Sequence, residues 1–217
     1  MVNIDNAIQI AKPLIKNYEG LASGTPPCGT NTSCLGYMSK TGNPNEKVYA
    51  YWDRFAKIWT IGWGSTYLNG RKVQENDVIT RAEAEKIFEQ EVYEKERGLK
   101  GKVDLNKIND NQYAVLISLA YNAGQGNLNK TRILPAINSG KSPQEVSAII
   151  RDSLTTSRGA TVPGLVRRRR EEADFYVSPV IAALKTPKGI GVAIGVLLIL
   201  GGVSYLLYNK LIKKNGI

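Results

Sequence analysis

The sequence predicts an α+β fold with two lobes, a small β-hairpin lobe and a mainly helical lobe, followed by a single C-terminal transmembrane helix. Residues 47–66 alternate large apolar with small or polar side chains on both sides of a charged bend, which is typical of a β-hairpin. Several other segments carry apolar residues at helical spacing behind recognisable helix-start signals. Residues 189–208 carry no charge and are long enough to cross a bilayer once as a helix.

The first helix is expected to start near Asp5 or Asn6, either of which can cap it. Pro13 should bend this helix or start a new one. Apolar side chains recur at helical spacing and predict one buried face: Ala7, Ile8, Ala11, Leu14, Ile15 and Tyr18. The pair Glu19-Gly20 falls where the helix should end.

In the predicted hairpin, the bend at Asp53-Arg54 should lift Asp53 toward solvent. Thr60 follows seven residues later on the returning strand, and the glycines at 62 and 64 let another surface approach the backbone. Such a strand suits the floor of a cleft. Glu19 is then the obvious carboxylate to face it.

Three further helices are predicted from their start and stop signals. Thr80 and Glu83 form a capping box that should open a helix of about fifteen residues. Residues 111–122 are apolar on nearly every face and precede a glycine, which predicts a core helix. A second capping pattern at residues 142–145 should open a helix to about residue 153, and Gly164 precedes the last helix.

These segments resemble the phage-type lysozymes, glycoside hydrolase family 24. NYEGL, AYWD and WTIGWGST are similar to the family's FEGL, AYxD and WTIGxGHT. Three helical segments follow in the family's order: ITRAEAEKIFEQEV, NDNQYAVLISLAYNAGQG and PGLVRRRREEADF. The resemblance implies a two-lobed lysozyme-like catalytic domain over residues 1–176. It also implies hydrolysis of the β-1,4 bond between N-acetylmuramic acid and N-acetylglucosamine in bacterial peptidoglycan.

The resemblance also assigns roles to particular residues. Glu19 matches the family's general acid, Asp53 its second carboxylate, and Thr60 the residue that holds the attacking water. A pair of carboxyl groups is sufficient for cleavage of a glycosidic bond. Trp63 and Asn122 are expected to line the substrate site.

The chain departs from the family pattern at two places. Residues 21–46 are an inserted loop, expected to form a flap beside the cleft, because the cost of closing a loop grows only slowly with its length. The insertion separates Glu19 from Asp53 and leaves Glu46 as a weaker candidate for the second carboxylate. Ser65 stands where the family usually has a histidine, so either that histidine is dispensable or the activity is altered.

The absence of histidine from the sequence excludes several wall-degrading mechanisms. Zinc-dependent amidases and peptidases need histidine ligands, and cysteine or serine nucleophiles generally need a histidine base. We therefore expect no metal and no cofactor. Cys28 and Cys34 could form a disulfide in an oxidising compartment or remain free thiols in the cytosol, and the sequence leaves both open.

The net charge of +10 fits an anionic polymer or surface as partner, although solvated basicity is equally common. Residues 167–170 are four consecutive arginines. Either one of them pairs with Glu19, or the run is a solvated face that pairs with Glu171 and Glu172 one turn later. The run lacks interleaved aromatic residues, so nucleic acid is not an expected partner.

The last part of the chain predicts membrane attachment. Residues 177–188 form a linker, residues 189–208 the span, and residues 209–217 a basic tail. Gly191 and Gly195 have the spacing that permits homo-association of membrane helices. The first twelve residues lack a secretory signal. These observations predict a single-pass protein of a virion membrane or the host inner membrane, used for phage entry or host lysis.

Other functions are also compatible with the sequence. One is a non-catalytic, membrane-attached wall-binding or virion structural protein, which a lysis assay would separate from an enzyme. Another is a lytic transglycosylase, which leaves a 1,6-anhydro end in place of a reducing end. A holin-like pore is a poorer match, since a single span follows a large folded domain.

Overall fold

A computed structural model describes residues 1–24, 35–37, 42–54, 56–157 and 159–178 of the chain. The described residues divide into two compact units. We call Ile8–Lys100 the β-rich unit, and Met1–Ala7 with the described part of Gly101–Ile217 the helical unit.

The described helices are, in chain order, α1 (Ile4–Glu19), α2 (Arg81–Leu99), α3 (Asp110–Ala123), α4 (Gln125–Asn129), α5 (Ile133–Asn138), α6 (Pro143–Asp152) and α7 (Pro163–Val177). The described strands are β1 (Ala22–Gly24), β2 (Leu35–Tyr37), β3 (Lys47–Tyr49), β4 (Tyr51–Asp53), β5 (Ile58–Thr60), β6 (Tyr67–Leu68), β7 (Arg71–Lys72), β8 (Val78–Thr80), β9 (Thr156–Ser157) and β10 (Ala160–Thr161). The strands form antiparallel pairs. This mixture of short hairpins and helices is an α+β architecture.

Helix α1 begins slightly earlier than the sequence predicts. Asn3 Oδ1 accepts a hydrogen bond from the Asn6 N–H at 3.0 Å, so Asn3 caps the helix instead of Asp5 or Asn6. The helix continues through Pro13 without a break. It ends at Glu19, where the sequence predicts its end.

The predicted hairpin exists, but it is shorter than expected. Strand β4 pairs with β5 in a register that sets Tyr51 opposite Thr60 and Asp53 opposite Ile58. The expectation that the first strand extends back to Lys47 is wrong, because β3 pairs with β8 instead. Val48 is fully buried in the core of the β-rich unit, and burial of this side chain favours the long-range pairing.

The inserted residues 21–46 contain two strands of their own. Strands β1 and β2 pair antiparallel, and β1 also lies beside β3 and β4. The sequence did not predict these strands. The remaining inserted residues 25–34 and 38–41, with Cys28 and Cys34, lie outside the described residues, so the flap and the state of the cysteines stay predictions.

The core of the β-rich unit is built from its strands and from α2. Its buried members are Leu21, Val48, Ala50, Ile61, Leu68, Val73, Ile79 and Ala84. The predicted capping box is confirmed: Thr80 Oγ1 accepts the Glu83 N–H at 3.2 Å, and the Glu83 carboxylate accepts the Thr80 N–H at 2.7 Å. Helix α2 spans 19 residues, longer than the sequence predicts.

The helical unit is organised around α3, which is buried along most of its length. Helix α7 packs against both α3 and α6. The capping box of α6, formed by Ser142 and Glu145, is confirmed. Helix α7 begins at Pro163, so Gly164 lies inside it and does not precede it.

Two arginines of the run in α7 are buried, which differs from the expectation of a solvated face. Arg168 and Arg169 are 5% and 0% exposed, so a solvated face is wrong for these two residues. Both pair with Glu172, which is also fully buried: Arg168 Nε lies 3.1 Å from Oε1, and Arg169 Nε lies 3.0 Å from Oε2. The alternative, an arginine that pairs with Glu19, stays a prediction.

The predicted membrane localisation is contradicted. Within the part of the chain that the structure describes, no helix is both long enough and apolar enough to cross a membrane. The predicted span at 189–208, with Gly191 and Gly195, lies outside the described residues.

Candidate active site

Glu19 is the last residue of α1, and it lies against a tight turn that follows β5. The turn consists of Gly62, Trp63 and Gly64 between Ile61 and Ser65, whose backbones exchange hydrogen bonds of 2.9 and 3.0 Å. Gly62 and Gly64 have φ angles of +63° and +96°, which side chains rarely permit. The two glycines therefore make this turn possible.

The same turn approaches the Glu19 carboxylate. A Cβ atom added at Gly64 would lie 3.6 Å from Glu19 Oε2. Three residues after Glu19 in the chain, the Ala22 N–H donates to the Gly62 carbonyl at 3.3 Å. These contacts fix Glu19 beside the segment that continues from β5. The prediction that glycines here let another surface approach the backbone is confirmed.

Asp53 and Thr60 lie on one face of the β4–β5 hairpin. Side chains alternate along a strand, and Tyr51 is opposite Thr60, so positions 51 and 53 share a face with positions 58 and 60. The other face carries Trp52 and Trp59, whose rings meet edge to face at 5.5 Å. Asp53 and Thr60 therefore lie on one face of the hairpin, and an aromatic pair lies on the opposite face.

Asp53 is half-buried at the end of β4. Its Oδ1 accepts the Ala56 N–H at 2.8 Å, and its carbonyl accepts the Lys57 N–H at 2.6 Å, so it helps to close the bend. Thr60 is only 3% exposed, and its hydroxyl lies 3.4 Å from the Ile58 carbonyl. Both residues therefore have local structural contacts in addition to their predicted roles.

Trp63 packs inside the β-rich unit. Its ring lies 5.7 Å from that of Phe88, and Lys16 Nζ stands 4.8 Å from the Trp63 ring and 5.0 Å from the Phe88 ring. Lys16 also pairs with Glu85. These contacts hold α1 against α2. The predicted role of Trp63 in lining the substrate site stays a prediction.

Glu46 and Ser65 take structural positions. Glu46 Oε2 lies 3.1 Å from Arg81 Nη2, and its carbonyl accepts the Arg81 N–H at 2.8 Å, which ties the start of β3 to the start of α2. Ser65 is 4% exposed, and its hydroxyl lies 2.7 Å from Glu91 Oε1 and 2.8 Å from the Tyr67 carbonyl. Ser65 therefore holds the end of the glycine turn.

Asn122 belongs to the helical unit, where it lies near the end of α3. It lines a groove of about 500 Å³ in that unit. Arg169 Nη2 donates to Asn122 Oδ1 at 2.7 Å. The sequence identified Arg169 only as one member of the run of four arginines and did not indicate its contact with Asn122. The signal that could have found it is the helical stripe of Arg169, Glu172, Ala173 and Tyr176, all of which are buried.

The structure thus groups four of the five predicted site residues in the β-rich unit: Glu19, Asp53, Thr60 and Trp63. Asn122 is part of the other unit. Among the described residues, no cluster of three acidic or cysteine side chains could hold a metal ion.

Known proteins resemble this chain in sequence. The model of the phage lysozyme family matches residues 44–172. An endolysin of Bacillus phage B103 is 29% identical over 175 residues, which are 80% of this chain and 54% of that protein. An endolysin of Bacillus phage PZA is 29% identical over 134 residues, which are 62% of this chain and 47% of that protein. The chain spans about half the length of these curated relatives.

Solved structures resemble it in fold. An endolysin from Escherichia coli O157:H7 phage FAHEc1 superposes with a TM-score of 0.59 at 24% identity, covering 78% of this chain and 91% of that one. A mutant of P22 lysozyme superposes with a TM-score of 0.54 at 22% identity, covering 82% and 99%. These similarities show a lysozyme-like α+β fold.

The range matched by the family model contains four of the predicted site residues: Asp53, Thr60, Trp63 and Asn122. Glu19 precedes that range, on the other side of the inserted segment. Because the match extends over more than half of the sequence, the chain belongs to the phage lysozyme family.

Proposed function

We propose that this chain is a muramidase that hydrolyses the β-1,4 bond between N-acetylmuramic acid and N-acetylglucosamine in bacterial peptidoglycan. Family membership supports the reaction class. The observation that carries the proposal is the position of the Glu19 carboxylate against the Gly64 turn, in the same unit as the hairpin face of Asp53 and Thr60. The relatives named endolysins support a role in lysis of the host wall.

In this mechanism Glu19 is the general acid. Cleavage of a glycosidic bond builds positive charge on the sugar ring while the leaving oxygen needs a proton. Glu19 is half-buried at a helix end and faces a glycine, so no side chain from position 64 blocks access to its carboxylate. A sugar oxygen can approach the carboxyl group from that side.

Asp53 supplies the second carboxylate. It stabilises the positive charge on the sugar or directs the attack on the opposite face of the ring. Thr60, on the same face of the hairpin, places its hydroxyl to hold the attacking water. The Ala56 N–H donates to this carboxylate, and the Lys57 N–H donates to the Asp53 main-chain carbonyl, so the end of β4 is held by both bonds.

A zymogram with embedded peptidoglycan tests the proposal. The wild-type protein should clear the gel, and Glu19→Gln should leave it turbid because the amide cannot donate the required proton. Glu94→Gln is the matched control, since Glu94 is an exposed residue of α2, and this variant should clear like wild type. Equal clearing by Glu19→Gln, or no clearing by the folded wild-type protein, would overturn the proposal.

A further inference from the structure

The groove of the helical unit contains an amide whose orientation is fixed by a buried arginine. This inference rests on the proposed function, because it identifies the part of the polymer that the groove recognises. We propose that Asn122 binds the N-acetyl group of a peptidoglycan sugar through its amide N–H, and that Arg169 is the positioning residue that orients this amide.

The polarity of the Arg169–Asn122 contact sets the orientation. A guanidinium can only donate hydrogen bonds, so the atom 2.7 Å from Arg169 Nη2 must be the Asn122 oxygen. The Asn122 NH₂ group is then turned away from Arg169. No described residue accepts a hydrogen bond from it, and Asn122 lines the groove. Asn122 therefore offers a donor to whatever occupies the groove.

The position of Arg169 is itself fixed by a buried network. Arg169 is fully buried and pairs with Glu172, which is also fully buried. The same Glu172 carboxylate accepts from Arg168 Nε at 3.1 Å and from the Ser118 hydroxyl at 2.6 Å. Each member of such a network constrains the others, so the guanidinium has little freedom to release Asn122.

The rest of the groove fits an acetamido group. Leu154, Leu165 and Ala123 supply apolar surface for a methyl group. Asn127 also lines the groove, but its amide nitrogen already donates to the Ala123 carbonyl at 2.9 Å. The Asn127 amide keeps one further N–H. Asn122 differs from Asn127 because its oxygen is fixed by a buried arginine, which turns its NH₂ group away from Arg169. An acetamido group combines one carbonyl acceptor with one methyl, and both sugars of the proposed substrate carry it.

Binding of soluble glycan strands to catalytically inactive protein tests the recognition. With Glu19→Gln as background, affinity is measured for N-acetylated and de-N-acetylated strands, with and without Asn122→Ala. We expect the added Asn122→Ala change to weaken binding of acetylated strands roughly five-fold, the value of one neutral hydrogen bond. De-N-acetylated strands should bind equally to both proteins. An equal effect of Asn122→Ala on both strands would overturn the proposal.

Asn122→Asp separates recognition from a structural role. The carboxylate still accepts from Arg169, so the melting temperature should equal or exceed that of wild type, but the N–H donor is lost and acetylated strands should bind more weakly. Asn106→Ala and Asn106→Asp make the same changes at an exposed site of the helical unit outside the groove, and should leave affinity unchanged. Wild-type affinity of Asn122→Asp for acetylated strands would overturn the donor role.

Arg169→Lys tests the positioning role. A lysine cannot reproduce the fork of donors that reaches both Glu172 and Asn122, so binding of acetylated strands should weaken. The loss should not add to that of Asn122→Ala in the double variant, whereas additive losses would contradict the role. If Arg169→Lys does not fold, the affinity of Asn122→Asp for acetylated strands is the deciding measurement. Hydrolysis of peptidoglycan by the wild-type protein is measured separately. If the wild-type protein hydrolyses normally but the Asn122 substitutions do not change affinity for acetylated strands, only this inference is overturned.

Discussion

Gly64 leaves space beside Glu19, the residue that we propose as the general acid. Gly64→Ala would strain the backbone, because φ is +96°, and would place a methyl group beside the Glu19 carboxylate. We expect a loss of ~1–2 kcal/mol in the free energy of unfolding and a marked fall in lytic rate. Denaturant unfolding and turbidity clearing measure the two effects.

Gly42→Ala is the matched control for Gly64. Gly42 also has a positive φ, +73°, but a Cβ atom there would meet nothing within 4 Å. This variant should lose a similar amount of stability and keep its lytic rate at a temperature where it is folded. If the two variants lose activity equally, strain alone accounts for the effect and the space beside Glu19 does not matter.

Glu172 is the buried centre of the polar network in the helical unit. Glu172→Gln would leave Arg168 and Arg169 without their carboxylate in a site that excludes water. We expect the free energy of unfolding to fall by ~3–5 kcal/mol, measured by urea denaturation. Glu171→Gln is the control: Glu171 is exposed and 4.0 Å from Arg167, so it should change stability by less than ~0.5 kcal/mol. Equal losses would contradict the burial argument.

Among the helices, we expect the stability of the start of α6 to depend on pH. Hydrogen bonds from Lys141, from the Ser142 N–H and from the Ser142 hydroxyl lower the pKa of Glu145 from 4.5 to about 2. A carboxylate with a lowered pKa stabilises the folded state fully above its unfolded value, and the contribution is lost as the pH falls through the folded value. Glu145 should therefore stabilise the protein above about pH 4.5 and contribute nothing near pH 2.

The measurement compares wild type with Glu145→Gln by urea denaturation across this range. The stability difference between them should be constant above pH 4.5 and shrink between pH 4.5 and 2. A difference that is independent of pH would show that the capping box acts only by its shape.

Elements set by local chemistry could be predicted from the sequence. Three such predictions are confirmed: the capping boxes at Thr80 and Ser142 and the glycine after α3. Each depends only on residues within one turn of helix. The pairing of β3 with β8 could not be predicted in the same way, since it joins residues some thirty positions apart. Strands β1 and β2 were also missed: their paired residues are closer in the chain, but each strand has only three residues and carries little sequence pattern.

In the candidate site, too, some features could be predicted from local sequence and others could not. Glu19 at a helix end and Asp53 and Thr60 on one hairpin follow from local patterns and from the family resemblance. The burial of Arg168 and Arg169 could not be predicted from local patterns, because a run of four arginines normally faces water unless acidic partners are buried with it. The contact between Arg169 and Asn122 joins two helices, and a helical stripe on α7 alone does not identify its partner.

At the scale of the whole molecule, the chain is a phage lysozyme family member whose two units divide the predicted site residues. The order of segments along the chain predicted this family. The membrane localisation was wrong because the length of an apolar run shows only that a segment could span a bilayer. Hydrolysis of peptidoglycan is the activity that we propose for the molecule.

The most direct test is the chemistry of the new ends released from purified peptidoglycan. Wild-type protein should release muramic acid residues with reducing ends, and Glu19→Gln should release none. Release of 1,6-anhydro ends would mean that no water is added and that the protein is a transglycosylase. Reducing ends released equally by Glu19→Gln would contradict the assignment of Glu19 as the acid.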